Sequence, residues 1–186
     1  MNIKEPIIIK DVFNEEDYKI LKDYLLNKEK VNYEKDFGRY VFTDNLIDEY
    51  SIKLIPLARD IFESKNLLPS YSLFAHYEGE EASLFKHKDN NACTYTIDMC
   101  IYQNKSWDLW VEGRPYTLGE NEALCYYGED QEHWREPIPD SKDQKVAMIF
   151  FHFVEPEHWW YAKGSNYIDV VRMKMTEKEW NIKNGK

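Results

Sequence analysis

Hydrophobic and polar positions along the chain keep one rhythm up to about residue 70 and another beyond it. In the first part Glu5–Phe13 reads as a strand entering a loop. Asn14 then precedes Glu15, Glu16 and Asp17, a helix start with acids in the first turn. Ile20, Leu21, Tyr24 and Leu25 follow at helical spacing and predict one apolar face. A second helix is predicted over Asp48–Ser64, with Pro56 marking a break or kink inside it. From Tyr71 onward, short runs of β-branched and aromatic residues alternate with turn signals. Strands are predicted at Tyr71–Tyr77, Leu84–Asp89, Tyr95–Tyr102, Leu109–Val111, Arg114–Thr117, Glu122–Tyr127, Gln131–Glu136 and Lys145–Val154. So many closely spaced strands predict a sandwich or barrel-like roll, mainly β with supporting helices. The last strand, KVAMIFFHFV, is apolar at both phases, which places it centrally with helices over one side. A capping-box pattern at Thr176–Glu179 predicts a short terminal helix.

Composition narrows the class. With 186 residues, no internal repeat and no Gly/Ser linker, one domain is expected over 1–186: helical support over 1–70, the roll over 71–154, and an extension over 155–186. The residues are 43% hydrophobic and 16% aromatic, enough for a sizeable core. A formal net charge of -10 argues against nucleic acid and anionic membrane as partners. The apolar run Ile7–Ile9 is too short for a signal-peptide core, and no segment approaches the roughly 18 apolar residues of a membrane span. Cys93, Cys100 and Cys125 have no metal-binding spacing and read as buried thiols of a cytoplasmic protein.

The candidate chemistry lies in FKHKD and DQEHWREP. His87 and Asp89 stand two apart, and side chains two apart on a strand project to the same side. Adding His133 gives two imidazoles and one carboxylate, the facial set that holds Fe(II) in non-haem oxygenases. Lys145 opens the last strand, where a cation buried at the root of the roll would need an anionic partner. Tyr102, ending another strand, could donate its hydroxyl to the same anion.

Leu73–Val154 resembles the prolyl-hydroxylase-like branch of the Fe(II)/2-oxoglutarate dioxygenases. FAHYEGEEASLFKHKD is similar to that branch's entry to the HxD motif, and CIYQNKSW to its strand carrying a tyrosine for 2-oxoglutarate. The run from LWVEGRPYTL to EHWREPI is similar to the approach to the distal histidine, and KVAMIFFHFV to the strand whose first residue grips the 2-oxoglutarate tail. The resemblance implies a double-stranded β-helix (jelly-roll) core and a metal site of His87, Asp89 and His133. It assigns 2-oxoglutarate to Tyr102 and Lys145. It implies Fe(II), 2-oxoglutarate and O2 as the reacting set, with ascorbate an optional reductant. The implied reaction is hydroxylation of a C–H bond as 2-oxoglutarate is decarboxylated to succinate. The substrate is a small molecule or a peptide, peptidyl proline among the options. Lys145 comes slightly late after His133 for the family; Lys142 fits the count better, and strand phase favours Lys145.

On the substrate side, Arg135 shares a phase with His133 and is expected to orient substrate, with the end of 2-oxoglutarate nearer the metal as another acceptor, against the plainer reading of a salt bridge to Glu132, Glu136 or another rim acid. Tyr77 is expected to point into the roll, and Trp134 is a candidate for a substrate groove, with plain packing as the alternative for both. The opposite phase to Lys145 assigns His152 to the helix side. Three other functions remain: a cupin-type metalloenzyme without 2-oxoglutarate, a non-enzymatic binding module that leaves the triad unexplained, and a nucleic-acid demethylase of the same broad superfamily, against which the charge of -10 counts.

Overall fold

The structure is a computed structural model that describes residues 5–139 and 142–161. Strand β1 (Ile7–Ile9) leads into α1 (Glu15–Leu26), where Asn14 Oδ1 accepts from the Asp17 amide as the N-cap. Only Leu21 and Leu25 of the predicted apolar face are buried; Ile20 and Tyr24 are exposed. Two strands follow that the sequence reading assigns to no element, β2 (Tyr33–Glu34) and β3 (Arg39–Phe42). The predicted second helix is two helices, α2 (Asn45–Lys53) and α3 (Ile55–Ile61). Pro56 sits in the first turn of α3, where its missing N–H costs nothing. Then come β4 (Leu68–Glu78), β5 (Leu84–His87), β6 (Tyr95–Gln103), β7 (Leu109–Val111), β8 (Arg114–Tyr116), β9 (Ala123–Tyr126), β10 (His133–Arg135) and β11 (Lys145–Val154). All eight predicted strands are present, β7 and β11 with the predicted ends and the other six with shifted ones. The predicted helix at Thr176–Glu179 lies outside the described residues.

The strands form two antiparallel sheets. The larger has the order β1-β9-β6-β11-β4-β3-β2, and the smaller β5-β10-β7-β8. β11 is therefore central, as its apolar sequence requires. Its odd positions, Ala147, Ile149, Phe151 and Phe153, pack with α1 to α3. Its even positions, Val146, Met148 and Phe150, face the smaller sheet and meet Leu84, Leu109 and Val111 there. These two clusters are the core: one between sheet and helices, one inside the roll. The three cysteines are free and buried. No helix of the described residues is long and apolar enough to cross a membrane.

That phase decides where the sequence-predicted anchors point. Lys145 is on the odd, helix-side phase and stands exposed at the strand's first position rather than buried in the roll. Its surroundings are Lys142, Gln144, Glu78, Tyr33 and Tyr40 in a surface groove. Tyr102 is turned the same way by a register shift between β6 and β11, where Ala147 pairs Tyr102 but Met148 pairs Cys100. The extra residue at Ile101 flips the alternation. Tyr102 consequently packs with the helix-side cluster, with Lys22 Nζ 5.4 Å from its ring centroid.

Candidate metal centre

β5 and β10 are neighbours in the smaller sheet, and His87 pairs directly with His133 across them. Asp89 lies just past the end of β5, where its amide donates to Gly128 O at 2.9 Å. One donor atom from each of His87, Asp89 and His133 falls within 4.8 Å of the others. Asp89 Oδ1 is 3.5 Å from His87 Nε2 and 3.6 Å from His133 Nε2. Each imidazole is fixed from behind: His87 Nδ1 bonds Phe85 O at 2.8 Å, and His133 Nδ1 bonds Gln131 O at 2.9 Å. A carbonyl can only accept, so Nδ1 carries the hydrogen in both rings. In the neutral tautomer both Nε2 lone pairs then face Asp89. Two oriented nitrogen lone pairs and one carboxylate suit a divalent first-row metal with open positions.

Electrostatics agree with a site that holds a carboxylate charged. Burial would raise Asp89, but hydrogen bonds from His133 and His87 outweigh it and hold the carboxyl well below the usual range. Burial would lower His133, but Asp89 outweighs it and raises the imidazole. A cation binding here must displace that proton.

The centre opens into a cavity of about 150 Å³ between the sheets. Its apolar wall is Phe37, Leu73, Leu84, Phe85 and Phe150, and its polar groups include Arg39, Asp98, Tyr126 and His152. Phe85 is 59% exposed and stacks on Phe37 with ring centroids 5.1 Å apart, an aromatic rim beside His87. Arg39, 12% exposed in its side chain, gives Nε to Glu34 at 2.6 Å and Nη1 to Tyr77 Oη at 2.8 Å. Asp98 is buried in the middle of β6; Tyr126 Oη donates to its Oδ2 at 3.0 Å, while Oδ1 is buried with no hydrogen-bond partner. Burial pushes this carboxyl up to about 7, against the pull of His133 and Arg135. His152 lies on the cavity side, not the helix side, and with Asp89 and Cys93 forms a second group of donors within 4.8 Å. Burial drives the Cys93 thiol well above its ordinary value, which leaves it a poor ligand beside the His87/Asp89/His133 set.

The structure thus brings His87, Asp89 and His133 together and leaves Lys145 and Tyr102 outside. Of the substrate-side residues, Tyr77 does point into the roll, but it is fully buried against Trp107 and bonded to Arg39 rather than lining the cavity. Trp134 faces the opposite side of the small sheet, stacked on Trp110 with its Nε1 bonded to Glu136. Arg135 is 4% exposed, inside the roll, and is no rim salt bridge. Arg39, Asp98 and His152 are the cavity residues the sequence reading missed. The available signal for Asp98 was a carboxylate inside an otherwise apolar strand, TYTIDMCIY.

No protein-family model and no curated protein sequence matches the chain. Solved structures do match. HygX from Streptomyces hygroscopicus, with nickel and 2-oxoglutarate bound, is 10% identical with a TM-score of 0.65, covering 84% of this chain and 85% of that one. A Pseudomonas putida prolyl-4-hydroxylase is 11% identical with a TM-score of 0.61, covering 81% and 92%. A Trichoplax adhaerens prolyl hydroxylase, in complex with a hypoxia-inducible-factor peptide, is 14% identical with a TM-score of 0.59, covering 87% of each. The fold is that of the 2-oxoglutarate–Fe(II) oxygenases, prolyl hydroxylases among them, with their jelly-roll core. Nickel and 2-oxoglutarate are bound in that HygX structure, and this chain carries a His-Asp-His group suited to such a metal.

Proposed function

We propose that the protein is an Fe(II)- and 2-oxoglutarate-dependent oxygenase that hydroxylates a C–H bond of a small-molecule or peptide substrate. The observation that carries this is the convergence of His87 Nε2, His133 Nε2 and the Asp89 carboxylate, with both rings pre-oriented by backbone carbonyls, at the end of a cavity inside the roll. When bound, the metal and 2-oxoglutarate supply hydroxylation by O2, with 2-oxoglutarate released as succinate and CO2. The chain supplies the rest. His87 and His133 hold their lone pairs in place, and Asp89 contributes the single negative charge of the donor set. Leu73, Leu84 and Phe150 keep water from the cavity wall, and Phe37 with Phe85 offers an apolar rim over which a substrate carbon can approach. Hygromycin B and a hypoxia-inducible-factor peptide, bound by HygX and by the Trichoplax neighbour, illustrate the two substrate classes. The buried free thiols support a reducing, cytoplasmic setting.

The outward placement of Lys145 and Tyr102 favours one second reading, a metalloenzyme of the same roll that uses no 2-oxoglutarate. One experiment separates the readings. Succinate is measured with Fe(II), 2-oxoglutarate and O2 for the wild type and Asp89→Ala, the folded state of both checked by circular dichroism. Succinate from the wild type and none from folded Asp89→Ala is the expected result. Metal binding without any succinate, even uncoupled from a substrate, moves the assignment to the second reading.

A further inference from the structure

We propose that Arg135 is the cation that anchors the distal carboxylate of 2-oxoglutarate, from the strand of the metal ligand His133. The inference rests on the metal-site reading above. Arg135 is buried on β10 and faces the interior. Its direct contacts are neutral: Nη1 donates to Trp107 O, Nη2 lies 3.7 Å from Met148 Sδ, and the Trp107 ring centroid is 4.9 Å from Cζ; the buried Asp98 carboxyl feels its charge without pairing with it. Among the described residues it has no ion pair. A buried guanidinium without an anion is costly, and such charges are normally paired. A missing anion is therefore the expected partner.

Position agrees with that ligand. Arg135 follows His133 by two residues on the same face, roughly 7 Å along the strand. A five-carbon dicarboxylate held by its keto-acid end at the triad spans a comparable length. Leu84, the register partner of Arg135, lines the cavity that the triad opens into. The tail would run past Leu84 and Phe150 and displace the unbranched side chain of Met148, which adapts readily. The other two candidate cations are accounted for. Arg39 already has Glu34 at 2.6 Å, and Lys145 is exposed on the far phase of β11.

The test compares two 2-oxo acids in anaerobic calorimetry with Ni(II)-loaded protein. 2-Oxoglutarate has the distal carboxylate; 2-oxovalerate has a methyl group in its place. The wild type is expected to prefer 2-oxoglutarate by roughly thirtyfold or more, the penalty for losing one side of a buried, hydrogen-bonded charge pair. Arg135→Met should bind Ni(II) and 2-oxovalerate as the wild type does while its preference for 2-oxoglutarate collapses. Arg135→Lys, which keeps the charge and loses the fork, should retain part of the preference and serves where the methionine variant does not fold. Lys145→Ala, exposed on the far phase of β11, should keep it whole. Retained preference in Arg135→Met, or collapse in Lys145→Ala with Arg135 intact, overturns the anchor and leaves the oxygenase reading standing. Ni(II)-loaded wild type that binds neither acid overturns both.

Discussion

Gly128 has no side chain, yet it is the residue whose replacement should reach the candidate metal centre most directly without replacing one of its three donors. It follows β9 and accepts the Asp89 amide hydrogen through its carbonyl at 2.9 Å. A Cβ built there would stand 2.7 Å from Cys93 O, 2.5 Å from Thr96 Oγ1 and closer still to Asp89 Oδ2. Carbon–oxygen contacts settle near 3.3 Å or beyond. The Cys93 carbonyl is backbone and Thr96 is buried in β6, so the Asp89 carboxylate is the group that must yield, by roughly 0.9 Å on that van der Waals separation. Ligand positions tolerate about 0.2 Å. Gly128→Ala should therefore weaken metal binding by about 10–100-fold, the usual effect of disturbing the support of a metal ligand. Overpacking should also cost the metal-free protein about 1–3 kcal/mol. Calorimetric titration with Ni(II) reads the first quantity and urea unfolding of metal-free protein the second. Gly128→Ala with wild-type Ni(II) affinity would refute the reasoning, because Asp89 would then either be free to move without consequence or not be a ligand.

Two further predictions concern stability. Burial lowers His76 from 6.5 to about 4, helped by Lys30 and Lys145 and opposed by Glu78. Below pH 6.5 the unfolded chain takes up this proton and the folded one does not until about pH 4, so stability should fall as pH drops through that window. Discounted for its partial exposure, the loss is on the order of 2 kcal/mol; urea midpoints of wild type and His76→Gln should diverge between pH 7 and pH 4.5, and parallel curves would remove His76 as the cause. Phe151 is fully buried at the centre of β11, with its ring 6.4 Å from Phe13 and on the helix side. Phe151→Ala should cost about 3–5 kcal/mol in urea unfolding and leave Ni(II) affinity unchanged, whereas a loss under about 1 kcal/mol would mean the helix layer contributes little to the fold.

The convergence of His87, Asp89 and His133 was legible in the sequence because it depends on a local rule and a short motif. His87 and Asp89 are two apart, and His133 sits in a run that alternates cleanly as a strand. The directions of Lys145 and Tyr102 were not legible, for two physical reasons. β11 is apolar at every position from Val146 to Phe151, so its alternation carries no mark of which phase looks into the roll. The phase assigned from Lys145 was inverted, and it took His152 with it. Tyr102 was lost to the irregularity at Ile101, which no single-sequence pattern announces. The third omission, Arg39, sits on a four-residue strand in the part of the chain that read as helical. Its turn depends on Gly38 at φ 58, where a side chain would run into the backbone of Glu81 and Ala82. A glycine demanded by a contact some forty positions away leaves no local pattern.

The roll's interior carries polar residues that folding alone does not require. Between the sheets, Val146, Met148, Phe150, Leu109 and Val111 would close a dry core by themselves. Asp98 and Arg135 interrupt it, and among the described residues they form no ion pair with each other: Asp98 leaves Oδ1 unbonded, and Arg135 bonds a carbonyl and a thioether. Buried charges in this condition oppose folding, and apolar residues of similar volume would serve the core better. Their placement has a direction, however. Asp98 lines the cavity beside His133, and Arg135 lies one strand step further in on the same face as that histidine. Polar groups left incomplete along one line, starting at a set of convergent metal donors, mark the path of a ligand that completes them.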